Sequence, residues 1–135
     1  MGARLTHNAL HVDAIDECVR FYQRYCDLEV ADDQARGGRR VVLMAEAGRG
    51  ESFVLQLMAG GVDKDPTPDE DRHFGFAVES REEVDRLAAM AADEGILLWE
   101  TFEGPFPMGY LCAVKDPNGN TVEISCGHLL ESEVQ

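Results

Sequence analysis

Two kinds of hydrophobic spacing take turns along this chain, a period of two and a period near 3.6. From Leu5 to Val12 the residues alternate, with Leu10 and Val12 on one face and His7, Ala9 and His11 on the other. Ile15, Cys18, Val19, Tyr22 and Cys26 then recur at helical intervals. They predict an amphipathic helix that Asp13 or Asp16 can cap and that stops near Asp27, a residue tolerant of the left-handed conformation. Three short apolar runs follow, around Leu28–Ala31, Arg40–Ala45 and Ser52–Met58, separated by Gly37-Gly38 and Gly48-Arg49-Gly50. The first half therefore reads as βαβββ.

The stretch Ala59–Asp71 holds two glycines, two prolines and five acids, and reads as a linker. After it the pattern begins again. Arg72–Val78 alternates, with Phe74, Phe76 and Val78 opposite His73, Gly75 and Ala77. Ser80-Arg-Glu-Glu83 is a capping box, Val84, Leu87, Ala88 and Ala91 form a helical stripe, and Gly95 ends it. Strands are expected near Ile96–Thr101, Tyr110–Lys115 and Thr121–Ser125. Between the last two, Asp116-Pro-Asn-Gly119 has the residues of a type I turn.

The halves match at a nearly constant offset. His73 follows His7 by 66 residues, Val78 follows Val12 by the same 66, and Glu123 follows Gln56 by 67. Such self-similarity indicates an α+β chain in which residues 1–135 form a single domain of two repeated βαβββ modules. The modules run from about 5 to 58 and 72 to 126, joined by the acidic linker 59–71.

Four polar residues occupy matched positions on otherwise apolar strands: His7 and His73 on the opening strands, Gln56 and Glu123 on the closing ones. If the apolar sides pack on the helices, these four share the opposite faces, where Ala9 and Gly75 leave room for a ligand. A carboxylate on an enclosed face needs a cation, a proton or strong donors. Two imidazoles, a carboxylate and an amide oxygen suit a divalent ion with open positions, such as Fe, Mn, Co, Ni or Zn. A lone strand histidine is usually only a hydrogen-bonded residue; the matched placement of all four argues for a metal. His11 lacks a counterpart and His128 lies in an acidic tail, so neither reads as a ligand.

Composition narrows the partners. A 44% hydrophobic, 28% charged chain of 135 residues can bury a real core. Its net charge of −14 argues against nucleic acid and anionic membranes as partners. Cys18, Cys26, Cys112 and Cys126 show no metal-finger spacing, and the first two stand about 12 Å apart on one helix. Reduced thiols and the absence of an apolar leader or span predict a cytoplasmic protein.

Thr6-His7-Asn-Ala-Leu, Phe21-Tyr22, His73-Phe-Gly-Phe-Ala-Val78 and Asp116-Pro-Asn-Gly-Asn-Thr-Val-Glu123 together resemble the vicinal oxygen chelate superfamily. That superfamily includes glyoxalase I, methylmalonyl-CoA epimerase, extradiol dioxygenases, and fosfomycin and bleomycin resistance proteins. The resemblance implies a cup-shaped mixed sheet in the glyoxalase-like fold. It also implies a divalent metal held by His7, Gln56, His73 and Glu123, in a homodimer whose sites draw ligands from both chains. The set is similar to the epimerase pattern; bacterial glyoxalase I carries glutamate where Gln56 stands. The implied activity is that of a metal-dependent lyase or isomerase of glyoxalase type, abstracting a proton next to a carbonyl. Glu123 would be ligand and proton shuttle, with Glu46 or Tyr110 as a second carrier. The alternatives are an extradiol-type dioxygenase, whose His/His/Glu set His7, His73 and Glu123 would also supply, and a metal-free drug-binding protein.

Overall fold

The computed structural model describes residues 2–48, 53–61 and 72–127. It divides into two compact units, Met1–Lys64 and Asp65–Gln135, parting inside the expected linker. Most of that linker, like His128, lies outside the described residues.

In the first unit, β1 (His7–Val12) leads into α1 (Ile15–Cys26), then β2 (Glu29–Arg36), β3 (Arg39–Ala45) and β4 (Val54–Ala59). The strands lie in the order β1-β4-β3-β2, with β1 and β4 parallel and the other pairs antiparallel. In the second unit, β5 (Phe74–Ala77) leads into α2 (Arg81–Asp93), then β6 (Leu97–Glu103), β7 (Tyr110–Lys115) and β8 (Thr121–Cys126). Their order, β5-β8-β7-β6, repeats the first, again with a parallel outer pair. The repeat extends to register: Ala9 faces Gln56 across β1 and β4, and Gly75 faces Glu123 across β5 and β8.

Local sequence accounts for most of these elements. Ser80 caps α2 by accepting from the Glu83 N–H. Only half of the expected capping box forms, because the Glu83 carboxylate turns to Arg86. Val84, Leu87, Ala88 and Ala91 are the buried face of α2, as the spacing predicts. The first helix departs from its expectation. Ala14, not Asp13 or Asp16, occupies the cap without a side-chain bond, and Asp16 instead pairs with Arg40. The buried stripe of α1 is also shifted: Phe21 and Tyr25, stacked on one another, join Ile15, Cys18 and Tyr22, while Val19 and Cys26 are only half-buried. The helix stops as expected on Asp27, at φ 54°.

A second difference is the length of β2. Its eight residues are all exposed, so no apolar alternation announces them. What holds the strand is its pairing with β3 through Gly37 and Gly38, whose φ of 59° and 80° suit a two-residue hairpin turn.

Each core lies between helix and sheet. Val12, Tyr22, Val42, Met44 and Leu57 are completely enclosed in the first unit, and Val84, Val114, Val122 and Ile124 in the second. Each such side chain contributes about 1.5–3 kcal/mol on burial. With the apolar residues committed to the helix side, the alternate residues of β1, β4, β5 and β8 face the other way. That is the face that carries the candidate ligands.

Candidate metal centre

In the second unit, the hairpin between β7 and β8 aims Glu123. Asp116, itself buried, accepts from the Asn118 and Asn120 N–H groups and from the Asn120 side chain. The Gly119 N–H closes the turn on the Asp116 carbonyl. This fixes where β8 begins, and all six of its residues are buried. Glu123 is only 7% exposed, flanked across the sheet by Gly75 and Ala113.

His73, one residue before β5, brings Nε2 to 3.6 Å from Glu123 Oε1. Two donors on one ion at about 2.1 Å each stand about 3.0–3.4 Å apart, so a shift of a few tenths of an ångström would suit a shared metal. Their chemistry, imidazole nitrogen and carboxylate oxygen, also fits such an ion. Trp99 sets its ring edge-on to His73, with centroids 5.2 Å apart. Gly75 matters here for space: a β-carbon on it would lie 3.1 Å from Glu123 Oε2.

The first unit offers a looser arrangement. His7 and Gln56 share one face by register. The His7 ring, exposed, takes Nδ1 to 2.9 Å from the Thr6 hydroxyl. The Gln56 amide nitrogen donates to Met58 Sδ at 3.0 Å. Thus His73 and Glu123 are brought together, whereas His7 and Gln56 are aligned but engaged elsewhere. Among the described residues, no three His, Cys, Asp or Glu side chains form a metal-holding cluster; each unit offers a pair.

Two further expectations change. Tyr110 lies on the helix side of the sheet, three strand positions from Ala113 and so on the face opposite Glu123, and donates to Asp85 at 2.5 Å. That bond raises its pKa, and Arg81 stacks over its ring at 3.9 Å. It is a packing residue and not a proton carrier beside Glu123. Glu46 sits exposed just past the end of β3. All four cysteines are thiols, and burial pushes Cys112 up to about 11.

Sequence reasoning missed Trp99, because the register slips on both sides of it defeat counting by alternation. It also missed the contact of Arg39 Nη1 with His11 Nε2 at 3.0 Å, made across 28 residues of chain. No described helix is long and apolar enough to cross a membrane.

The model of the Glyoxalase/Bleomycin resistance protein/Dioxygenase superfamily matches residues 4–124. An uncharacterized protein of Pseudomonas aeruginosa is 42% identical over 130 residues, covering 96% of this chain and 93% of the relative. Among solved structures, a possible glyoxalase from Bacillus cereus is 25% identical, with a TM-score of 0.67, covering 93% of this chain and all of the other. The trypanothione-dependent glyoxalase I of Leishmania major aligns at 20% identity and TM-score 0.73 over 98% and 93% of the two chains. A genomically encoded fosfomycin resistance protein of Listeria monocytogenes, solved with Mn(II) and sulfate, aligns at 20% identity and TM-score 0.72 over the full length of both. The repeated βαβββ units are those of the glyoxalase-like fold, and the chain belongs to the glyoxalase/bleomycin resistance protein/dioxygenase superfamily.

Proposed function

We propose that this protein is a metal-dependent lyase or isomerase of glyoxalase type. It acts on a small molecule that chelates through adjacent oxygens. The observation that carries the reading is the His73–Glu123 pair, 3.6 Å apart on a face kept open by Gly75. His7, Gln56, His73 and Glu123 would hold the ion. A divalent metal bound there supplies a Lewis acid for the substrate oxygens. The relatives solved with Mn(II) support the same choice of ion class.

The chain's own residues do the rest. Glu123 is the acid–base group: its carboxylate takes the proton from the hydroxyl-bearing carbon next to the carbonyl and returns it to the former carbonyl carbon, while the hydroxyl proton passes to the former carbonyl oxygen. Gln56 stands where a second carboxylate would offer another base, and an amide cannot take that proton. The reaction is therefore a one-base transfer on Glu123. Trp99, in ring contact with His73, limits rotation of the imidazole. In a homodimer, His7 and Gln56 of one chain would join His73 of the partner subunit and Glu123 of the partner subunit. The cytoplasm is the compartment that suits its four thiols.

The test is metal analysis of freshly purified protein, followed by solvent-deuterium exchange at the carbon next to the carbonyl in a panel of hydroxyketones and hemithioacetals. Exchange that Glu123→Gln abolishes is expected. Failure to bind Fe, Mn, Co, Ni or Zn would favour a metal-free binding protein, and oxygen consumption with catechols would favour a dioxygenase. The dimer is tested by mixing His7→Ala and Glu123→Ala chains. Metal binding should return after subunit exchange, and its absence would mean that each chain builds its site alone.

A further inference from the structure

We infer that Arg39, held by His11 and flanked by Arg36, is a binding site for an anionic group. It would select, among oxygen-chelating substrates, those that carry a carboxylate at the end remote from the metal. This rests on the metal reading above.

The argument begins with the hairpin Arg36-Gly-Gly-Arg39-Arg40. The two-residue turn sets Arg36 directly opposite Arg39, on the same face. Like charges so placed repel. Arg40 points to the helix side, where Asp16 and Asp33 hold it at 2.7 and 2.8 Å. Arg36 and Arg39 meet no carboxylate among the described residues, in a chain with 26 acids and 12 lysines and arginines. The acid nearest along their face of β2, Asp32, is bonded by Gln34 at 2.6 Å.

Register places this basic corner relative to the ligands. Gln56 pairs with Leu43 and Ala9, and Met58 pairs with Val41 and His11, so Arg39 lies on the face of His7 and Gln56. Along β1, His7 and His11 are about 13 Å apart. A guanidinium only donates, so its hydrogen bond to His11 uses the Nε2 lone pair. One guanidinium edge is thereby fixed and its remaining N–H groups keep a defined direction. A fixed guanidinium suits a carboxylate, which it can bind through two hydrogen bonds. The substrate class that follows has chelating oxygens at one end and a carboxylate on the order of 10 Å away, a separation set by the strand rise.

Two hydroxamates provide the test. Octanohydroxamic acid and suberic acid monohydroxamate share chelating group and chain length, and only the second carries a terminal carboxylate. Calorimetry on the metal-loaded protein should show the second binding about tenfold more tightly, the gain expected for a charge-assisted contact. Arg39→Gln should remove that preference and leave octanohydroxamate binding intact, whereas Arg40→Gln on the opposite face should preserve it. Equal affinities would overturn the anion site while leaving the metal reading in place. If neither hydroxamate binds, the metal reading fails, and suberate is titrated into the purified protein while the His11 ring signals are followed by NMR. A shift that Arg39→Gln abolishes keeps the anion site, and no shift overturns it.

Discussion

The two units have one topology and one register but distribute charge differently. In the first, β4 presents Gln56, half-buried, its amide turned to Met58. In the second, β8 presents Glu123, buried, its carboxylate beside His73. The opposing residue is Ala9 in one and Gly75 in the other. Duplication thus preserved a backbone frame while the halves took different electrostatic roles. The second unit carries a carboxylate beside an imidazole, and the first carries a neutral amide and the basic corner at Arg36 and Arg39.

The largest expected effect separates the closing strands. Glu123→Ala should weaken divalent-metal affinity by roughly a hundredfold or more, beyond the usual cost of losing an outer-shell group. Gln56→Ala should cost only about tenfold, because a neutral oxygen is lost. Titration calorimetry giving equal losses would break the comparison.

Next comes the turn that aims Glu123. Asp116→Ala strips acceptors from two backbone N–H groups, one of them on buried Asn118. It should destabilise the protein by about 2–3 kcal/mol in urea unfolding. A loss under about 0.5 kcal/mol, the range of neutral surface changes, would mean that β8 is held by its strand pairing alone.

Gly75→Ala sharpens the difference on the opening strands. The new methyl would meet Glu123 Oε2 at 3.1 Å and its Cβ at 3.3 Å, so the carboxylate must shift. Metal affinity should fall about tenfold, on the scale of disturbing a ligand's support, whereas Ala9→Gly should leave it nearly unchanged. Similar effects at both positions would show that Gly75 does not set the carboxylate's place.

The smallest effect is on the helix side of the first unit. Arg40→Gln removes exposed ion pairs with Asp33 and Asp16, of the kind worth little in water. The hydrogen bond from Arg40 holds the Asp33 pKa below its ordinary 3.8. A depressed carboxylate pKa stabilises the folded state above the ordinary value and loses that contribution as pH falls through the folded one. The wild-type advantage should therefore be present at neutral pH and disappear on acidification below about pH 3.8, the ordinary value. An advantage that persisted in stronger acid would point to packing by the arginine stem.

How far the sequence could be read varied with the distance over which each decision was made. The stripe of α2, the Ser80 cap and the Asp27 stop depend on residues within a few positions, and their local patterns predicted them correctly. The fully exposed β2 had no apolar alternation, and only its pairing with β3 extended it to Arg36. Tyr110, adjacent to the right hairpin, proved to face the helix, because parity from Glu123 through Ala113 puts it on the other side.

The sequence by itself determined the repeat, the α+β class and the faces bearing His7, Gln56, His73 and Glu123, because strand alternation is a local property of the chain. Tertiary structure decided which polar groups meet. His73 reaches Glu123 across 50 residues of chain and Arg39 reaches His11 across 28, while Gln56 turns aside to Met58. Those outcomes depend on strand register and side-chain packing, and no periodicity within a single strand encodes the register of its neighbour.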